Sequence, residues 1–108
     1  MADATVARGN STAPAPVLAS MSTYQAEPDR PTMFTTTWCG YCARLKNQLK
    51  RAGIAYTEVD IEAHPDAADV VAAVNGGNQT VPTLLFSDGS AMTNPSASQV
   101  DAKLAELR

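Results

Sequence analysis

Thr32-Met33-Phe34-Thr35-Thr36-Thr37-Trp38-Cys39-Gly40-Tyr41-Cys42 joins a β-rich run to the start of a helix and sets both cysteines of the chain at the junction. Thr32 to Thr37 is β-branched and aromatic, the composition that strands favour. Beyond it, Cys42, Leu45, Leu49 and Ala52 fall at i, i+3, i+7 and i+10, one face of a helix that Gly53 is placed to end. A C-x-x-C pair brings its sulfurs together across one helical turn. At a strand-to-helix junction this is a dithiol redox motif, because a helix N-terminus stabilises the thiolate that reacts. The expected chemistry is exchange between thiols and disulfides.

Outward from this stretch the pattern stays regular. Ala55 to Ile61 reads as a second strand, and Ala67, Val70, Val71 and Val74 mark a second helix that begins near Pro65 and leaves through Asn75-Gly76-Gly77. Thr83 to Phe86 and Ser90 to Thr93 flank Asp88-Gly89, the signature of a hairpin. Ala97, Val100, Leu104 and Leu107 align on a third helix; Ser96 and Gln99 have capping-box spacing at its start, with Asn94-Pro95 a competing cap. The order is β-α-β-α-β-β-α. A right-handed βαβ crossover makes the first two strands parallel, and the hairpin adds antiparallel strands. The predicted fold is an α/β sandwich of the thioredoxin-like type, with helices on a four-stranded mixed sheet.

Bulk properties narrow the class. With 108 residues the chain has room for one core. Charged residues make up 18% and the net charge is -3, which gives no electrostatic case for nucleic acid or a membrane. No apolar run approaches the roughly 20 residues of a membrane span. Two cysteines three apart cannot staple a secreted fold, so a reversible cytosolic pair is the better reading. Residues 1–30 are rich in Ala, Ser, Thr and Pro without periodicity, and are expected to be a disordered extension before a domain at 31–108. A secretory signal is not expected there, since Asp3 precedes Arg8 and prolines interrupt the best apolar stretch.

Cys39, at the helix start, is the expected nucleophile. Cys42, aligned with Leu45 and Leu49, is expected to be buried, less ionised and able to resolve a mixed disulfide on Cys39. Val81-Pro82 follows the loop Gly76 to Thr80 and is suited to a cis bond, although trans is the ordinary state of such a pair. Placed beside the dithiol, the Val81 backbone could pair with a substrate cysteine. Tyr41 is expected to shield the pair and offer a stacking surface, and Trp38 to pack at the strand end. The basic residues Arg44, Lys46, Lys50 and Arg51 read as a solvated helix face, with Arg44 close enough to the pair to help. The acids from Glu58 to Asp69 read as solubilising. Two cysteines and His64, at a helix start, fall short of a closed zinc site, so no bound metal is expected.

Residues 31–108 closely resemble the glutaredoxin family and, within it, the actinobacterial mycoredoxins. The resemblance rests on Trp38 to Lys46, Glu58 to Glu62, Val74 to Thr83 and Asp88 to Ser96. It implies a cytoplasmic, monomeric oxidoreductase with a cis-Pro loop that removes mycothiol from S-mycothiolated proteins. In the implied monothiol cycle the Cys39 thiolate takes up mycothiol, a second mycothiol releases it, and a flavoprotein reductase using NADPH recycles the product. No bound cofactor is implied; mycothiol is the cosubstrate. Cys42 forms an internal disulfide as a side branch, and Thr80, Val81 and Pro82 cradle the cysteinyl part of the thiol.

Departures from the wider family favour mycothiol over glutathione. Gly40 stands where many glutaredoxins have proline, Thr35 and Thr36 occupy the region of a lysine, and Thr93-Asn94-Pro95-Ser96 replaces a Gly-Gly-x-x-Asp motif. Glutathione has two carboxylates that want cations, whereas mycothiol is neutral and rich in hydroxyls. Gln79, Ser90, Asn94 and Ser96 are the candidates for its sugar end, with helix capping the ordinary role of Asn94 and Ser96. The alternatives are a glutathione-dependent glutaredoxin, a dithiol reductase fed by a thioredoxin reductase, and an iron–sulfur scaffold formed by two chains.

Overall fold

In the computed structural model, which describes residues 23–108, strand β1 (Thr32–Thr35) is buried along its whole length. It lies inside a four-stranded sheet with β2 (Thr57–Asp60), β3 (Thr83–Leu85) and β4 (Ala91–Thr93), in the order β2-β1-β3-β4. Strand β2 runs parallel to β1, pairing Thr32 with Thr57 and Thr35 with Asp60. Strand β3 is antiparallel to β1, and β4 is antiparallel to β3. The helices are α1 (Gly40–Arg51), α2 (Pro65–Val74) and α3 (Ala97–Leu107). This is the glutaredoxin-type thioredoxin-like sandwich expected from the sequence.

Alternation along the central strands divides the core between two faces. Met33 and Leu84 point to the side of α1 and α3, where Leu45, Leu49, Phe86, Val100 and Leu104 join them. Phe34 and Leu85 point to the other side and meet Ala67, Val70 and Val71 of α2, with Ile61. Each helix ends where its residues allow. Gly53 adopts φ +72 just past α1, a conformation that glycine takes without steric cost. The competition at α3 is won by Ser96, whose hydroxyl accepts from the Gln99 N–H while the Gln99 side chain bonds back to the Ser96 N–H. The hairpin turns at Asp88-Gly89 as expected, and Asp88 accepts from Ser90 and from Lys103 of α3 at 2.7 Å.

Of residues 1–30, positions 1–22 lie outside the described residues, and the disorder expected there with them. From Tyr24 onward the chain is in contact with the domain. The Tyr24 ring meets Phe34 edge-on, its hydroxyl donates to Asp66 at 3.0 Å, and its carbonyl accepts from the Thr32 hydroxyl at 3.1 Å. Ala26 is buried, and Glu27 and Arg30 exchange backbone hydrogen bonds around a turn.

Candidate active site

Strand β1 delivers the chain to the site and α1 begins there. Cys39 is the N-cap of α1, one position before the first helical residue, with extended backbone at φ -89 and ψ 111. A capping side chain must turn back over the first helical turn, so the Cys39 sulfur accepts the Cys42 N–H at 3.1 Å. Helix-terminal N–H groups aimed at a sulfur favour negative charge on it. Cys39 is half-buried and reachable, whereas Cys42 is fully buried; both are free thiols. Burial pushes the Cys42 thiol up from 9.0 to about 12, assisted by its contact with Cys39 and opposed by the Thr36 backbone. The two sulfurs therefore differ as the motif implied: one at the rim, one in the floor.

Opposite Cys39 lies the loop before β3. The Val81–Pro82 peptide is cis, and the Cys39 thiol donates toward the Val81 carbonyl at 3.9 Å. On the far side of the loop, the Asn94 N–H donates to the Pro82 carbonyl at 2.8 Å, which ties the end of β4 to the site. Asn94 itself sits at φ +47, a left-handed conformation that asparagine tolerates better than most residues. It is not a helix cap. Behind it a cleft of about 130 Å³ is lined by Arg44, Leu45 and Gln48 of α1 and by Asn94, Pro95 and Ser96.

The rim is aromatic. Trp38 is 74% exposed and Tyr41 61% exposed. The expected packing of Trp38 at the strand end is thus corrected: its indole N–H donates to both carboxylate oxygens of Glu62, at 3.1 and 3.2 Å, and this holds the ring at the surface. The Arg44 guanidinium lies 5.6 Å from the centre of the Tyr41 ring. Beneath the site, Glu58 accepts from Lys46 at 2.9 Å and from the buried Thr35 hydroxyl at 2.8 Å. Burial raises the Glu58 carboxyl, but these two bonds outweigh it and leave the pKa lowered. Glu58 is therefore a structural partner rather than a solubilising acid, and Lys46 is not simply a solvated residue.

A family model described as Glutaredoxin matches residues 32–90, which contain both cysteines and the Val81–Pro82 loop. The chain belongs to the glutaredoxin family. It is 59% identical over 76 residues to a Mycobacterium tuberculosis protein that carries the name glutaredoxin, covering 70% of this chain and 90% of that one. To Mycoredoxin 1 of Corynebacterium glutamicum it is 41% identical over 76 residues, covering 70% of this chain and 94% of the relative. It is a mycoredoxin-like glutaredoxin. Among solved structures, the holo form of glutaredoxin C1 from Populus tremula x tremuloides aligns with a TM-score of 0.63, covering 88% of this chain and 100% of that one at 22% identity. The buckwheat glutaredoxin–glutathione complex aligns with a TM-score of 0.59, covering 85% and 89% at 22% identity. These structures establish the fold. The family makes the chain a thiol–disulfide oxidoreductase.

Cys39, Cys42, Val81, Pro82 and Asn94 are brought together, with Thr80 adjoining and Trp38 and Tyr41 on the rim. Ser96 lines the cleft, although its hydroxyl is committed to capping α3. Ser90 is not at the site. The register pairs Leu85 with Ala91 and Thr83 with Thr93, so Ser90 lies across from Phe86 at the turn end of the hairpin, away from Pro82, and bonds Asp88 there. Sequence reading missed Gln48 and Asn75. Gln48 follows Arg44 by one helical turn, a spacing that was visible but had no partner loop to give it meaning. No group of three or more metal-ligating side chains occurs among the described residues, and no described helix is long and apolar enough to cross a membrane.

Proposed function

We propose that this glutaredoxin reduces mixed disulfides between mycothiol and protein cysteines, by a monothiol cycle through Cys39. The observation that carries the reading is the asymmetry of the pair, with Cys39 half-buried and reachable and Cys42 fully buried, its thiol pushed up by that burial. The Cys39 thiolate attacks the mycothiol sulfur of the substrate, and the protein thiolate leaves. Cys39 then holds mycothiol in a mixed disulfide. A second mycothiol thiolate attacks that sulfur, releasing mycothiol disulfide and restoring the Cys39 thiolate. An NADPH-dependent flavoprotein reductase returns the disulfide to two thiols. Cys42 competes poorly as the resolving nucleophile, because little of a buried thiol is ionised at neutral pH. Its internal disulfide with Cys39 is a side branch.

The walls suit a neutral ligand. Thr80, Val81 and Pro82 present backbone to the cysteinyl part, and the cleft beyond Asn94 offers the Gln48 and Asn94 amides to hydroxyl groups. Its single charged lining residue, Arg44, is turned onto the Tyr41 ring. Gln79 is a further candidate from the loop. Identity of 41% to Mycoredoxin 1 supports the same ligand class. Trp38 and Tyr41 meet the protein half of the substrate. The protein acts as a cytoplasmic monomer with no resident cofactor.

The test is turnover of one protein's mycothiol and glutathione mixed disulfides, each with its own free thiol and reductase. At least about tenfold higher kcat/KM for the mycothiol form is expected, the worth of one or two well-placed hydrogen bonds. Preference for glutathione would overturn the ligand and leave the Cys39 chemistry. The buckwheat glutaredoxin–glutathione complex makes that the second reading.

A further inference from the structure

Asn75 ends α2 and looks like ordinary punctuation, yet its side chain joins three separate segments. Its amide nitrogen donates to the Thr83 hydroxyl at 3.0 Å, and its amide oxygen accepts from the Thr93 hydroxyl at 2.8 Å. The Thr83 hydroxyl in turn donates to the Thr80 carbonyl at 2.6 Å. These bonds determine one another's direction. A hydroxyl has a single proton, and Thr83 spends it on Thr80, so toward Asn75 it can only accept. The Asn75 nitrogen must then face Thr83 and the oxygen Thr93. Thr83 is completely buried, so its hydroxyl depends on these two partners.

The chain of bonds spans the loop that faces Cys39. Thr80 lies just before Val81-Pro82 and Thr83 just after, and the Thr83–Thr80 bond closes the loop across them. Asn75 fixes that closure to the end of α2 and, through Thr93, to the end of β4. From there the Asn94 N–H returns to the Pro82 carbonyl at 2.8 Å. A free loop of this length would leave the Val81 carbonyl without a set direction; here both of its flanks are held.

We infer that Asn75 is a positioning residue: through Thr83 and Thr93 it holds the Val81 backbone where a substrate cysteine can pair with it. The inference rests on the reading of Val81 as the backbone that meets the substrate, and not on which low-molecular-weight thiol the substrate carries. The Asn75 side chain bonds Thr83 and Thr93 and neither sulfur. Its contribution is to binding, and so it acts on KM and leaves the sulfur chemistry of Cys39 alone.

The experiment uses the full chain and whichever mixed disulfide, mycothiol or glutathione, the wild type reduces better. Steady-state turnover is read beside the rate at which iodoacetamide alkylates Cys39, a reaction in which the reagent makes no backbone pairing with Val81. Asn75→Ala is expected to raise KM about tenfold, with kcat within about threefold and alkylation within about twofold. Thr83→Val, which removes the shared hydroxyl, should do the same, while Thr83→Ser, which keeps it, should stay within about twofold of wild type. The double variant Asn75→Ala/Thr83→Val should be no worse than either single one, because both cut the same chain.

Thr93→Val removes only the outer bond from an exposed position; it should raise KM about threefold, and it keeps the test decisive if Asn75→Ala does not fold. Unchanged KM in the folded variants, alkylation that falls in step with turnover, or multiplying effects in the double variant would each overturn the inference. A wild type that prefers glutathione would overturn the mycothiol reading alone, since the Asn75 comparison is then read on the glutathione substrate.

Discussion

Cys39 and Cys42 stand one helical turn apart, yet the two ends of that turn obey opposite demands. Around Cys39 the chain keeps large apolar side chains in water: Trp38 and Tyr41 are the exposed large hydrophobics among the described residues. Cys42 itself is fully buried, and Leu45 and Leu49 continue its stripe into the core shared with α3. The rim gives up hydrophobic burial to keep a surface for partners. The floor gives up thiol reactivity to keep the helix packed. One C-x-x-C pair therefore carries a reactive sulfur and a core residue, divided by a helix-end N–H at Cys39 and by burial at Cys42.

The sharpest way to break this contrast is to remove the rim sulfur. Cys39→Ser should lower turnover at least about a thousandfold, because a serine hydroxyl at neutral pH is neither ionised nor able to form the mixed disulfide. Reduction of a mixed disulfide by this variant at more than a few per cent of the wild-type rate would mean that Cys42 can act alone. Attacking the floor should do the converse. Leu49→Ala removes a fully buried side chain and should cost about 2–5 kcal/mol of stability in urea unfolding. Cys39 alkylation in the folded fraction should stay near the wild-type rate. A slowed alkylation would show that rim and floor are not separable.

The smallest effect concerns Cys42. Cys42→Ser should retain turnover of mixed disulfides within a few-fold of wild type and lose the internal disulfide. It should also change the response to alkali. A thiol raised from 9.0 to about 12 by burial stays protonated in the folded chain after it ionises in the unfolded one. Its contribution to stability is complete below about pH 9 and is lost as pH rises from there toward 12. Melting temperature should therefore fall less steeply above pH 9 in Cys42→Ser than in wild type. Parallel slopes would mean that Cys42 titrates in the fold as it does in solution.

Much of the frame was legible because local chemistry decided it. Gly53, Ser96 with Gln99, and Asp88-Gly89 each end or cap an element by their own backbone preferences. The two core faces came only with the structure, which sends Met33 and Leu84 to one side of the sheet and Phe34 and Leu85 to the other. What escaped was set by register and by juxtaposition. Lys46 and Glu58 are on a helix and the strand after it, and only the parallel pairing of β1 with β2 brings them to 2.9 Å. Ser90 and Asn94 are four residues apart, but they flank β4, whose extended backbone carries them to opposite ends of the hairpin. Trp38 was misplaced because hydrophobicity argues for burial, while its hydrogen bond to Glu62, distant in sequence, keeps it out. Asn75 was read as the end of a helix, a role it also has. Tyr24 lay in a stretch whose average composition concealed a single aromatic anchor.

The short outer strands carry a consequence for life at high concentration. Sheet edges are where one chain can recruit another by backbone pairing. Here one edge, β4, offers three residues before Asn94 turns left-handed, and the other, β2, carries Glu58 and Asp60 among its four. Neither is a template on which a foreign strand could lengthen. Short, charged edges of this kind keep backbone pairing between copies of the sheet from extending.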